Sequence, residues 1–250
     1  MGLPVINEFP EHTITLPCSK KVLKYRPFTA KEQVNLLVAK ESVKNADESS
    51  GVDVDEIFST IRNTLANCVL NDVDIDELPL PDFEYFMLKI RAESVSEVAE
   101  TRFRCEIKNS DGEVCGGLTD VNVNLNDIKL TGEVPDPKIQ ISDNVVVELR
   151  GPAFKLTEIL KDGDNLDKNL LRIIADLIVT IWVGEDVYNA RDYSTEDKIK
   201  FLENFTTQQF NKLAEFIINY PSLKIDIEYT CKKCGYNHKF EVRNVSDFFG

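Results

Sequence analysis

Histidine is the scarcest chemistry-bearing residue of this 250-residue chain: His12 and His238 are the only two, and they are far apart. No Ser/His/Asp set therefore has local support. Neither GxxxxGK[ST] nor GxGxxG occurs, so no glycine-rich phosphate cradle is present. Long apolar runs are also missing. The longest, Leu170 to Val183, is interrupted by Arg172, Asp176 and Thr180, too short and too punctuated for a bilayer about 30 Å thick. It reads as a buried helix. Met1 to Pro10 is polar and lacks an apolar signal core, so no targeting segment is expected. Positive charge is in deficit, with 29 Lys and Arg against 43 Asp and Glu, a net charge of −14. That argues against broad binding of nucleic acid or anionic membrane, both of which want a basic face. It suits a soluble protein whose partners are other proteins. In so acidic a chain the carboxylates read as a solvated face rather than a catalytic pair.

What is present suffices for a sizeable core. The hydrophobic fraction is 42% and the charged fraction 29%, near ordinary globular values. His12 to Leu16 and Lys20 to Tyr25 alternate around Pro17-Cys18-Ser19, a hairpin. Thr29 with Glu32 forms a capping box for a helix through Val34, Leu37 and Val38 to about Asn45. Asp47 to Gly51 is a loop. Val54, Ile57, Phe58, Ile61 and Leu65 recur at helical spacing, as do Phe83, Phe86, Met87 and Ile90 beyond Pro79 and Pro81. From Thr101 the period becomes two. Arg102 to Cys105 leads into the turn Asn109-Ser110-Asp111-Gly112, and Cys115-Gly116-Gly117 returns into Thr119 to Leu125. Pro135 and Pro137 mark a loop, and Val145 to Leu149 is a strand. Helix starts are expected at Tyr193-Ser194-Thr195-Glu196 and at Thr206-Thr207-Gln208-Gln209. Leu223 to Tyr229 is a strand leading to Cys231, with Lys239 to Val242 as its return.

Cysteine carries the chemistry. With no secretory segment expected, the six cysteines point to a reducing compartment, where clustered thiols more often bind metal than form disulfides. Two segments resemble each other: strand, Cys105, turn, Cys115, glycine, strand; and strand, Cys231, turn, Cys234, glycine, strand. A CxxC turn aims two thiolates at one ion, and the following glycine permits the tight backbone. Tetrahedral zinc needs four ligands, which Cys105, Cys115, Cys231 and Cys234 supply if the hairpins pack face to face. Other readings stay open. The thiols are remnants of a site, or His238 replaces one cysteine, or Cys231 and Cys234 are a redox pair, although no thioredoxin-like βαβ unit surrounds them. Cys18 and Cys68 are isolated, and Cys68 falls on an apolar helix face, a core position.

Several segments resemble the baseplate hub proteins of T4-like contractile-tailed bacteriophages. These are the opening run Leu16-Pro17 with Lys24-Tyr25-Arg26-Pro27-Phe28-Thr29-Ala30-Lys31-Glu32, the stretch Phe205 to Phe210 with Tyr220 to Leu223, and the terminal Glu228 to Gly235 knuckle with Ser246-Asp247-Phe248-Phe249. The recognisable motifs cover about a third of a chain matched end to end. The resemblance implies a virion morphogenesis protein acting on the central hub of the tail baseplate, as hub subunit or assembly factor. It would work in the host cytoplasm or the virion tail, with other hub and tail proteins as partners. Phe248 and Phe249 are candidate docking residues.

The expected architecture is α+β: a helical core with short antiparallel strands and a split zinc-ribbon-like pair of cysteine hairpins. Residues 1–100 would form an N-terminal hairpin plus helices, 101–130 and 223–250 one knuckle module, and 145–221 a helical core segment, in one chain-wide domain. The expected cofactor is structural zinc. An ion closed by four thiolates has no open position to activate water, so no enzyme activity or small-molecule substrate is expected, and the acidic charge leaves no nucleic acid or membrane expected either. The alternatives are a zinc-ribbon nucleic-acid binder, prompted by Arg102, Arg104, Lys232, Lys233 and Lys239 near the knuckles, and a metal-dependent or thiol enzyme.

Overall fold

The computed structural model describes residues 8–44, 54–153 and 166–243. The chain divides into two compact units: Met1–Val73, Glu84–Thr131 and Leu223–Gly250 form the first, Asp74–Phe83 and Gly132–Ser222 the second. Helices and small antiparallel sheets make the fold α+β.

The first unit opens with the hairpin of β1 (His12–Thr15) and β2 (Val22–Tyr25), paired in register from His12↔Tyr25 to Thr15↔Val22. The turn places Lys20 at a φ of 58°, and its carbonyls are bound locally. Tyr25 is buried, and burial pushes its hydroxyl up to about 12. Arg26 then forks onto both oxygens of Glu32 at 2.8 Å. Glu32 also closes the capping box: its carboxylate accepts from the Thr29 amide at 2.8 Å, and its own amide donates to the Thr29 hydroxyl at 3.3 Å. This starts α1 (Ala30–Lys44), followed by α2 (Val54–Ala66) and α3 (Leu80–Ser94). Pro81 sits in the first turn of α3, where its missing N–H costs nothing.

The unit's second half is strand-rich. β3 (Val98–Arg104) pairs with β4 (Leu118–Asn124) along their whole length, from Val98↔Asn124 to Arg104↔Leu118. After the short β5 (Lys129–Leu130) the chain passes to the second unit. It returns as β10 (Leu223–Thr230) and β11 (Asn237–Val242), in the sheet order β11-β10-β5. One apolar cluster joins Leu88 of α3, Ala99 of β3, Val123 of β4 and Leu223, Ile225 and Ile227 of β10. The two hairpins that carry the paired cysteines are thus seated on a common core.

The second unit holds a meander of β6 (Lys138–Ser142), β7 (Val145–Leu149), β8 (Ile178–Val183) and β9 (Asp186–Asn189). Helices α4 (Leu166–Leu177), α5 (Thr195–Glu203) and α6 (Thr207–Ile218) share its core, built on Val147, Leu149, Ile174, Leu177, Leu213 and Phe216. Ser194 and Thr206 cap α5 and α6 with reciprocal boxes through Asp197 and Gln209, at the helix starts read from the sequence. The expected single helix across Leu170 to Val183 is corrected: α4 ends at Leu177 and the chain continues directly as β8. Ile178-Val179-Thr180-Ile181-Trp182-Val183 is dominated by β-branched side chains, which suit a pleated surface, and it pairs with β7 and β9 on either side. The 138–142 and 186–189 strands were not anticipated, so this segment is a sheet with helices rather than a helical core.

Candidate metal centre

The first cysteine pair is folded by a hairpin that continues past its ladder. Cys105 N–H donates to Gly117 O at 2.8 Å, Gly116 N–H to Cys105 O at 2.9 Å, and Cys115 N–H to Ile107 O at 2.8 Å. At the tip the Asn109 side-chain oxygen accepts from the amides of Asp111 (3.1 Å) and Glu113 (2.8 Å), and Gly112 takes a φ of 83°. The wide spacing between Cys105 and Cys115 is therefore consumed by an ordered turn, and the two thiols converge. The second pair is a tight knuckle. Gly235 N–H donates to Cys231 O and Cys231 N–H to Tyr236 O, both at 2.9 Å, with Gly235 at a φ of 74°, where a side chain would be strained.

The four Sγ atoms all lie within 4.8 Å of one another. Across the hairpins, Cys105 Sγ lies 3.7 Å from Cys234 Sγ and Cys115 Sγ 3.8 Å from Cys231 Sγ. Zn–S bonds of about 2.3 Å in a tetrahedron set the sulfurs about 3.8 Å apart, so this donor set has the size of a tetrahedral thiolate site. Gly117 is what lets the hairpins meet. A Cβ there would stand 2.7 Å from Lys233 Cβ and 2.9 Å from Cys231 Sγ. The Lys232 amide donates to the buried Thr119 hydroxyl at 3.3 Å, and Lys233 Nζ donates to Cys115 O at 2.5 Å. Each hairpin thus tethers the other.

Cys105 and Cys231 are buried, Cys115 is half-buried and Cys234 is exposed. Amide N–H groups of Cys234 and Lys233 aim at the Cys231 sulfur and pull its thiol down to about 6, as a metal-binding knuckle requires. Burial pushes the Cys105 thiol up to about 12 in the absence of a cation. A divalent ion among the four reverses that balance by holding the thiolate form.

His238 lies beside the four sulfurs. Its Nε2 is 3.2 Å from Cys105 Sγ, and its ring is stacked on Tyr229 with centroids 4.6 Å apart. Tyr229 in turn stacks on Phe103 at 5.6 Å. His238 thus stands within hydrogen-bond distance of one of the four sulfurs, a placement that spacing alone did not reveal. The contacts of Gly117 and Thr119 were also missed from the sequence, whereas the turn at Asn109 was read from it. Only the Gly-Gly pair after Cys115 hinted at a close approach.

The other singled-out residues fall elsewhere. Cys18 and Cys68 are buried away from the cluster. Cys68 Sγ donates to Thr64 O at 3.3 Å, and burial pushes its thiol up to about 12, so it is an inert core thiol. Phe248 and Phe249 lie outside the described residues. Of the basic residues near the knuckles, Arg102 pairs with Asp120 at 2.5 Å, Lys239 pairs with Glu228, and Lys233 is engaged by Cys115 O. Local acids thus pair two of these five cations, Arg102 and Lys239.

The chain is thus an α+β protein whose two hairpins bring four thiols to the spacing of a metal site. Residues 9–250 match the family model described as T4 bacteriophage base plate protein, and the chain belongs to that family. Its role is accordingly related to the phage baseplate. No curated protein and no solved structure matches the chain. Among the described residues, no helix is long and apolar enough to cross a membrane.

Proposed function

We propose that this protein is a non-enzymatic morphogenesis component of the central hub of the tail baseplate, and that Cys105, Cys115, Cys231 and Cys234 hold one structural zinc. The family match over residues 9–250 carries the first part. The four sulfurs within 4.8 Å carry the second. The zinc closes a split, ribbon-like module by joining the β3–β4 hairpin to the β10–β11 hairpin. All four positions of the ion are filled by sulfur, so its contribution is rigidity: it stabilises two hairpin tips too small to bury a core of their own. A rigid module of this kind suits a protein that docks with other tail proteins in the host cytoplasm. Candidate contacts include Phe248 and Phe249.

Metal content per chain, measured on native-purified protein and on Cys105→Ser and Cys231→Ser variants, tests the site. About one zinc per chain, lost in both variants, is the expected result. Zinc that survives Cys105→Ser sinks the split site. Co-purification with individual hub proteins tests the assembly role. Retention on heparin that falls with salt would instead favour nucleic-acid binding.

A further inference from the structure

The two edges of the second unit's sheet are treated differently. At the β6 edge, Lys212 Nζ donates to the carbonyls of Gln140 (2.9 Å) and Ile141 (3.2 Å), and α6 lies against the strand. At the β9 edge, every residue of Asp186–Asn189 is exposed, and Val187 keeps 61% of its surface in water. β9 is short and carries the charge of Asp186, but it has no lysine, proline or bulge, the stronger devices that blunt such edges.

The register shows what this edge offers. β8 and β9 are joined by the two-residue turn Gly184-Glu185, with Gly184 at a φ of 61° and Val183↔Asp186 as the closing pair. A two-residue hairpin closes on a hydrogen-bonded pair, so Asp186 and Tyr188 spend their backbone groups on β8. The same alternation agrees with Gly184 N–H donating the other way, to Asn144 O at 2.8 Å. The N–H and C=O of Val187 therefore point away from the sheet. On the face opposite the core, Val146, Trp182 and Val187 are successive cross-strand neighbours, an apolar row that ends at the edge, with Lys138 Nζ 5.1 Å from the Trp182 ring centroid.

We infer that the β9 edge is a dimer interface, in which a second copy of this chain adds its own β9 antiparallel across a two-fold axis, Val187 against Val187. Self-complementarity selects this occupant. The two-fold hydrogen-bonds the outward backbone groups of Val187 to their copies. It continues the Val146–Trp182–Val187 row into its mate and makes one eight-stranded sheet. It also sets Asp186 opposite Tyr188 of the other copy, in the close non-hydrogen-bonded position, where a phenol donates to a carboxylate. No like charges face each other in that register. Because Lys212 occupies the β6 edge, the association closes at two copies instead of running on into a fibre.

Sedimentation of the full chain over a concentration series, in native and Val187→Lys forms, tests the interface. The native chain is expected to pass from 28.4 kDa to twice that mass as concentration rises. Added salt should favour the dimer by screening the −14 charge of each copy. Trp182 is the single tryptophan, so its emission reports the same transition without a label. Val187→Lys, at an exposed position, should stay at 28.4 kDa with an unchanged circular dichroism spectrum and melting temperature. A native chain that remains a monomer throughout overturns the inference. So does a dimer that Val187→Lys leaves intact, or a monomer whose Trp182 emission shifts only on adding another tail protein.

Discussion

The tips of the two cysteine hairpins and the sheet of the second unit hold together by opposite means. Around β7, β8 and α4 to α6, order comes from apolar burial: Val147, Ile174, Leu177 and Leu213 are wholly enclosed. Around Cys231-Lys232-Lys233-Cys234-Gly235-Tyr236, every residue after Cys231 is exposed, and the Cys105–Cys115 loop holds only Ile107 and Val114 as apolar residues, neither of them buried. What gathers these tips is four sulfurs, a glycine contact and a few hydrogen bonds. The lesson is local. A segment with little buried carbon can still be fixed in place, and on the proposed zinc reading its order would depend on an ion and on the protonation of its ligands.

The sharpest break in that contrast is expected from stripping the proposed zinc. Chelation of the zinc-loaded protein should release the amides of Cys105 to Gly117 and Cys231 to Tyr236 to fast hydrogen exchange while the 145–183 strands stay protected. For scale, zinc binding contributes about 10–16 kcal/mol of apparent free energy in zinc-finger peptides. Uniform loss of protection would erase the distinction between the two regions. The converse change is Leu177→Ala, which empties a fully buried position. It should cost the second unit about 2–5 kcal/mol in denaturant titration and leave metal stoichiometry unaltered.

Acid separates the regions differently. The Arg26 fork holds the Glu32 carboxyl down to about 2 against an ordinary 4.5. A carboxylate with a lowered folded-state value stabilises above its unfolded value and loses that contribution as pH falls through the folded one. The first unit should therefore lose on the order of 2 kcal/mol between about pH 4.5 and pH 2, after allowance for partial water access. Glu32→Gln should remove the slope in that window, read from melting temperature against pH. Gly117→Ala is expected to cost a comparable amount, about 1–3 kcal/mol, as the added methyl meets Lys233 and Cys231. Metal affinity should drop with it, whereas a purely local effect on the turn would leave affinity unchanged.

Much of this was legible in the sequence for physical reasons. Capping boxes are short-range devices, and Thr29, Ser194 and Thr206 each sit at the helix start where their residue types place them. The CxxC knuckle and the alternation of β10 are equally local. Illegible were features decided by distant partners. Leu170 to Ile181 keeps a helix-like apolar spacing, and the pairing of β8 with both β7 and β9 turns the β-branched run from Ile178 onward into strand. β9 is exposed along its whole length, so no inside–outside alternation announces it. His238 lies seven residues past Cys231, which places it near the sulfurs without telling whether it would bind an ion or a thiol. Gly117 meets Lys233, a contact that no periodicity encodes.

The separation of the two cysteine pairs along the chain sets a timetable. Cys115 precedes its 3.8 Å neighbour Cys231 by 116 residues, and Cys105 precedes Cys234 by 129. At synthesis rates of about 5–20 residues per second, the first pair waits on the order of ten seconds before the second emerges. All of Gly132–Ser222 leaves the ribosome in that interval. A nascent chain truncated there presents two of the four cluster thiols and no closed site, so a completed four-thiol cluster reports that translation has run through Cys234.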